Sequence, residues 1–276
     1  MASEIGGAQL NLHIGSSGST PNNDTQFNQI STFFHGFYDN SIFNTTTDQG
    51  GFQQNVVTDL GRTFIVFGDQ GTGTTANFAG SGDGAVGTGQ DTAIKAGNGD
   101  NDIIITDNSN HAANLGKGND FIQNTGTGAV TVKAGAGNDA VVGGAGNDNI
   151  NGNKGNDFLQ GGAGNDTING GNGADTLVGN AGNDVMSGGK GHDVFLFSNE
   201  TTGNDTINDF KKGDILQIAD RNDDGSINTS GANADVTITQ DGKDTVLTFT
   251  NGDKITLKNV DSNDLSQDNL NGQFHL

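Results

Sequence analysis

The clearest apolar pattern in this chain has a period of nine, unlike the 3.6 of a helix or the 2 of an isolated strand. Cut at every ninth residue, 134–196 reads AGAGNDAVV, GGAGNDNIN, GNKGNDFLQ, GGAGNDTIN, GGNGADTLV, GNAGNDVMS and GGKGHDVFL, seven copies in one register. Position eight is always apolar: Val141, Ile150, Leu159, Ile168, Leu177, Met186 and Phe195. Three residues with an apolar centre predict a short strand whose middle side chain points inward. The six residues before it carry Gly at position two (Gly135, Gly144, Gly162, Gly171, Gly189) and position four (Gly137, Gly146, Gly155, Gly164, Gly173, Gly182, Gly191). Such spacing predicts a tight turn that uses positive φ. Each copy is then half a coil, and two copies make an 18-residue turn of a flattened right-handed solenoid with parallel strands in two thin sheets. A solvated Gly/Asn/Asp linker has no reason to keep this period.

The pattern continues backwards with less regularity. LGKGNDFIQ at 115–123 fits with Asp120 and Ile122. AGNGDNDIII, from Ala96, fits if one residue is inserted before Asp102, and VGTGQDTAI, from Val86, is a poor match carrying Asp91. Downstream, DVFLFS, DILQIAD, ADVTITQ, DTVLTFT and DKITLKNV alternate apolar and polar residues and predict antiparallel β, with hairpin turns at Asp241-Gly242 and Asn251-Gly252. A short helix is expected from near Asp261 or Ser262, including Leu265 and Leu270. Residues 1–80 differ in kind, holding nine of the sixteen Phe, the only Tyr (Tyr38) and the only Pro (Pro21). The expected division is a Phe-rich N-terminal domain at 1–80, a solenoid at 81–197 and a C-terminal β cap at 198–276, all of it β.

Position six is Asp in all seven copies, and this is where the chemistry lies. Turns eighteen residues apart stack on one edge of a solenoid, so Asp102, Asp120, Asp139, Asp157, Asp175 and Asp193 are expected on one edge. Asp148, Asp166 and Asp184 are expected on the other, continued by Asp205. Carboxylates and turn carbonyls then face each other across a gap lined only by oxygen, the donor set that Ca²⁺ takes with six to eight ligands. One ion between successive turns gives roughly seven or eight Ca²⁺ over both edges. Composition agrees. Of 276 residues 47 are Gly, only 30% are hydrophobic, and Asp+Glu outnumber Lys+Arg 33 to 12 for a net charge of -21. A conventional thick core is therefore excluded, as is a basic nucleic-acid binder. About seven or eight divalent ions would offset most of that charge. A further calcium loop is suggested by DRNDDGSIN at 220–228, where Asp220, Asn222 and Asp224 take positions one, three and five of an EF-hand-type loop; Gly231 stands at position twelve in place of Glu.

On these residues the block resembles the GGxGxDxUx calcium repeats of RTX proteins, and the order of segments after it resembles the C-terminal cap and secretion region of type I exported members. The resemblance implies a calcium β-roll that is secreted, with the type I secretion machinery as a partner. The opening MASEIGGAQLNLHIG has neither a basic start nor an apolar run, so no Sec-type signal is expected there. No run of about 18 apolar residues predicts a membrane span, and the absence of Cys removes disulfides and thiolate metal sites.

RTX proteins include proteases, lipases, toxins, adhesins and matrix proteins. The five histidines (13, 35, 111, 192, 275) form no HExxH, and neither GSSGS at 15–19 nor GSGDG at 80–84 is the GxSxG of a lipase. Elimination leaves a non-enzymatic, secreted calcium-binding protein that folds and self-assembles on Ca²⁺, resembling small biofilm matrix proteins. Its expected partners are further copies of itself and an extracellular polysaccharide. The alternative is an enzyme, or a polysaccharide-binding or S-layer module, whose active part lies within residues 1–80.

Overall fold

In a computed structural model the described residues are 42–48, 51–57, 74–77, 82–86, 91–106, 108–198, 203–221, 227–228, 236–268 and 273–276. The chain divides between Ser41 and Ile42, and the expected domain of residues 1–80 lies largely outside this description. Strands β1 (Ile42–Asp48) and β2 (Gly51–Val57) form an antiparallel pair. Parallel pairing begins with β3 (Thr74–Asn77) and β4 (Gly82–Val86), the first of them inside the range expected to precede the solenoid.

From there the chain alternates between two sheets. One takes β3, β5 (Thr92–Lys95), β7 (His111–Asn114), β9 (Val130–Ala136), β11 (Asn149–Lys154), β13 (Thr167–Asn172), β15 (Val185–Lys190) and β17 (Asn204–Ile207). The other takes β4, β6 (Asn101–Ile105), β8 (Phe121–Asn124), β10 (Ala140–Ala145), β12 (Phe158–Ala163), β14 (Thr176–Ala181), β16 (Val194–Ser198) and β18 (Ile215–Arg221). The register is the expected one: Val141 lies beside Leu159 and Leu159 beside Leu177, while Ile150 lies beside Ile168 and Ile168 beside Met186. All seven position-eight side chains are essentially inaccessible, a single apolar file per sheet. At roughly 1.5–3 kcal/mol for each fully buried side chain, that core is thin for a chain of this length.

Position two is not always Gly. Asn153 and Asn180 stand there in two copies, at φ 73° and 75°, the left-handed region that Asn tolerates better than other residues with a side chain.

The solenoid runs further than expected. DVFLFS and DILQIAD are β16 and β18, paired in parallel, and β17 pairs in parallel with β15. Alternation cannot tell a parallel strand from an antiparallel one, and the stacking that decides between them is set by the coil below. The antiparallel cap begins later, after β19 (Ile227–Asn228) returns along β18. It comprises β20 (Thr237–Asp241), β21 (Asp244–Thr248) and β22 (Lys254–Leu257), joined at the two expected hairpins, with Gly242 at φ 63° and Gly252 at φ 96°. On the other sheet β23 (Ser266–Asp268) and β24 (Gln273–His275) add antiparallel to β18.

The helix expected from Asp261 is absent. Asp261 Oδ1 accepts hydrogen bonds from the Asn263 backbone N–H and side-chain amide, the Asp264 N–H reaches the Asp261 carbonyl, and the chain turns into β23. Short polar side chains capture the backbone here before a helix can. Leu270 lies outside the described residues.

Candidate metal centre

Each turn that links the two sheets ends on position six, immediately before a strand, so its side chain is directed inward. On the first edge the stack reads Asn101, Asp120, Asp139, Asp157, Asp175, Asp193 and Asp214. Each carboxylate from Asp120 onward presents Oδ1 to the backbone N–H of the position-six residue one coil earlier, at 2.8 to 3.1 Å. On the second edge Asp148 Oδ1 accepts from the Val130 N–H at 2.7 Å, and Asp166, Asp184 and Asp205 repeat the contact on Asp148, Asp166 and Asp184. All ten aspartates are buried.

A second ladder runs the other way. At position five the Asn119, Asn138 and Asn156 side-chain carbonyls accept from the backbone N–H one coil later, and Asn147, Asn165 and Asn183 do the same on the second edge. Neighbouring turns are thus tied in both directions, which holds the Asp stack in register. This role of position five was not anticipated, although five of the seven copies carry Asn there.

The second oxygen is the telling one. Oδ2 of Asp120, Asp139, Asp148, Asp157, Asp166, Asp175 and Asp184 is buried and has no hydrogen-bond partner. An unpaired buried carboxylate oxygen costs several kcal/mol unless a proton or a cation meets it. Position one is Gly in six successive copies because a Cβ there would overlap this oxygen: on Gly152 it would meet Asp157 Oδ2 and the Gly170 carbonyl, on Gly170 Asp175 Oδ2 and the Gly188 carbonyl. The position-one glycines (Gly143, Gly152, Gly161, Gly170, Gly179, Gly188) were missed as site residues, yet the signal is in the sequence, since Gly152 and Gly179 survive where position two becomes Asn.

The position-two and position-four glycines named above line the same turns, where close stacking leaves no room for side chains: a Cβ on Gly155 would overlap the Gly137 carbonyl and one on Gly173 the Gly155 carbonyl. Gly146, Gly164 and Gly182 stack likewise on the second edge.

One expected ligand falls elsewhere. Asp102 lies beside Phe121 in the parallel register, one place past position six, and is exposed; Asn101 takes the ladder position and its amide donates to Asp120 Oδ1. No residue is inserted: Asn101, Ile103 and Ile105 are the buried residues of β6, and their burial sets the frame. On the second edge the place of Asp91 is taken by Thr92, followed by His111 and Val130, so the carboxylate ladder starts there only at Asp148. Asp220 lies at the end of β18, paired with Asn228, while Asn222 and Asp224 are outside the described residues. Asp214 was missed; its copy, DFKKGDILQ, has lost the glycines of positions one, two and four that mark the others.

Electrostatics follow burial. Desolvation pushes Asp139, Asp166 and Asp205 up to about 7 and Asp148 and Asp175 up to about 6, against backbone hydrogen bonds that lower them. Asp120, Asp157, Asp184 and Asp214 are raised for the same first reason. Like charge adds to it, since Asp157 and Asp120 both raise Asp139. Successive coils rise by roughly 4.8 Å, where two unit charges repel by about 3 kcal/mol at an effective dielectric near 20.

Among the described residues no three His, Cys, Asp or Glu side chains converge on one point. The donor set is one carboxylate per turn plus backbone carbonyls of the adjoining turns. All of these are oxygen, which suits Ca²⁺ and does not suit a tetrahedral N/S metal. The orphaned Oδ2 atoms fit such an ion. The Asp side chains and turn carbonyls would hold it, and it would supply the positive charge that lets stacked carboxylates stay ionised.

A repeated turn carrying buried, half-satisfied carboxylates, wound as a parallel β-roll, defines a calcium solenoid. The RTX calcium-binding nonapeptide repeat model matches at residues 124–150, 142–177 and 160–195, and the chain fits an RTX-type calcium-binding protein. No curated protein matches the sequence. Among solved structures the chain is similar to the extracellular lipase LipA from Serratia marcescens, at 20% identity and a TM-score of 0.30, over 67% of this chain and 39% of that one.

Proposed function

We propose that this protein is a secreted, non-enzymatic scaffold that folds and self-assembles on Ca²⁺ outside the cell, in an extracellular matrix of the biofilm kind. Calcium-binding repeats and a β-solenoid are the established part of that reading. The observation that carries the rest is the file of buried carboxylates with one oxygen unsatisfied. A chain built this way is poorly folded where calcium is scarce and rigid where it is plentiful, which suits export followed by assembly.

Charge and edges support the assembly step. An ion-free chain at -21 repels its copies, and ion binding removes most of that repulsion. Strand β20 ends one sheet with all five residues exposed, an edge that offers backbone groups to another chain. On this reading the type I secretion machinery reads the region after the roll, and a polysaccharide partner is bridged through calcium.

Light scattering on the full chain tests it. The expected result is a rise in mass on adding millimolar Ca²⁺ that EDTA reverses, and a smaller rise when residues 1–80 are removed. A chain that folds with calcium and stays monomeric at high concentration contradicts the scaffold reading and turns attention to an enzyme or ligand-binding module.

A further inference from the structure

The seven orphaned carboxylate oxygens have a boundary. They run through Asp175 on the first edge and Asp184 on the second, and the next first-edge residues, Asp193 and Asp214, are not among them. Both side chains there are fully buried, so access to water is not the difference. The difference is Lys211. Its Nζ donates to Asp193 Oδ2 at 3.1 Å and to Asp214 Oδ1 and Oδ2 at 3.0 and 3.2 Å, three acceptors for the three N–H bonds of an ammonium.

The ammonium is held in place. The Lys211 backbone N–H donates to Asp214 Oδ2 and the Asp214 N–H returns to the Lys211 carbonyl, closing a four-residue turn over the carboxylate. The rest of the rung keeps the ladder's pattern, with the Asp193 N–H on Asp214 Oδ1. Lys154 and Lys190 occupy the same position three of their copies, but both are exposed. Among the described residues only Lys211, in the copy that lacks the glycines of positions one, two and four, reaches the carboxylates of the ladder.

We propose that Lys211 is a built-in cation that takes the place of Ca²⁺ between Asp193 and Asp214 and closes the first-edge ladder without an ion. The inference rests on the reading that the ladder binds calcium. Interloop Asp pairs then divide into ion-bound rungs (Asp120–Asp139, Asp139–Asp157, Asp157–Asp175 and Asp175–Asp193 on the first edge; Asp148–Asp166, Asp166–Asp184 and Asp184–Asp205 on the second) and one ammonium-bound rung at the end. The terminal rung is formed at any calcium concentration, and the cap strands after it join a coil that needs no metal.

The test is calcium stoichiometry of the purified full chain, by equilibrium dialysis with metal analysis, alongside circular dichroism in EDTA and in calcium. Lys211→Ala, which restores the residue found at position three of four other copies, is expected to bind one more Ca²⁺ per chain than the wild type. Lys211→Arg, which keeps the charge, is expected to bind the wild-type number. An unchanged count in a folded Lys211→Ala protein overturns the inference and leaves the calcium reading intact; a wild type that binds no calcium overturns both. Should Lys211→Ala fail to fold even in calcium, the double variant Lys211→Ala/Asp214→Asn decides. Asn keeps the Oδ1 acceptor and removes the charge, so recovery of folding at the wild-type count supports the role assigned to Lys211. Failure of the double variant overturns it.

Discussion

Burying Asp139 at 2% exposure with one oxygen satisfied and one bare sets the behaviour of this protein at the scale of a single side chain. Because desolvation raises Asp139, Asp166 and Asp205 to about 7 and Asp148 and Asp175 to about 6, the ion-free fold holds more protons than the unfolded chain between about pH 4 and pH 7. Its stability must then fall as pH rises through that window. EDTA-treated protein is expected to melt at a higher temperature near pH 5 than near pH 7.5, with calcium reversing the order at neutral pH. A higher ion-free melting temperature at pH 7.5 would remove the burial argument. Asp139→Asn isolates the same effect. With no charge to desolvate, the variant's ion-free fold should gain stability at neutral pH by up to about 4 kcal/mol, read as a larger folded fraction in EDTA by circular dichroism, while its calcium-bound form loses stability and binds fewer ions. Gly152 shows what was legible at this scale and unread: its identity follows from Asp157 Oδ2, a contact that sequence spacing hints at and only coordinates explain.

At the scale of the half-coil, the nine-residue copy was legible almost completely, because position eight is both apolar and buried in every copy from Val141 to Phe195. Legibility failed where the code thins. In GNGDNDIII two acids flank Asn101, and three consecutive isoleucines hide which of them face inward; stacking on Phe121 and Ile122 settles it and leaves Asp102 outside. Asp214 was hidden for the opposite reason, since its copy keeps Asp and Leu216 while replacing the glycines that advertise the turn. The helix expected at Asp261 failed because a polar turn and a helix start share the same residues. One comparison tests the frame directly. Asp102→Ala is expected to leave the calcium count and midpoint unchanged, whereas Asp120→Ala lowers the count by at least one and raises the calcium concentration needed for folding several-fold. Equal losses in both would mean that the ladder at this end is framed as the sequence first suggests.

Across the whole molecule, the two edges differ in a way that composition alone conceals. The first carries carboxylates from Asp120 to Asp214, while the second begins with Thr92, His111 and Val130 and turns acidic only at Asp148. The early coils of the second edge therefore carry no position-six carboxylate, although Asp91 there and Asp100 on the first edge accept backbone N–H bonds from the next coil, and on the proposed reading the later coils rely on charge neutralisation. Both need the apolar files, one per sheet, which are too thin to offset chain entropy of roughly 1–2 kcal/mol per residue by themselves. On the proposed reading calcium supplies the missing contribution. The most direct measurement is far-ultraviolet circular dichroism of the full chain near pH 7.5, titrated from EDTA into millimolar Ca²⁺. The account predicts a largely unfolded spectrum without the ion and a cooperative rise of β signal over a narrow calcium range, which magnesium does not reproduce. A spectrum already rich in β structure in EDTA, unchanged by calcium, would contradict it.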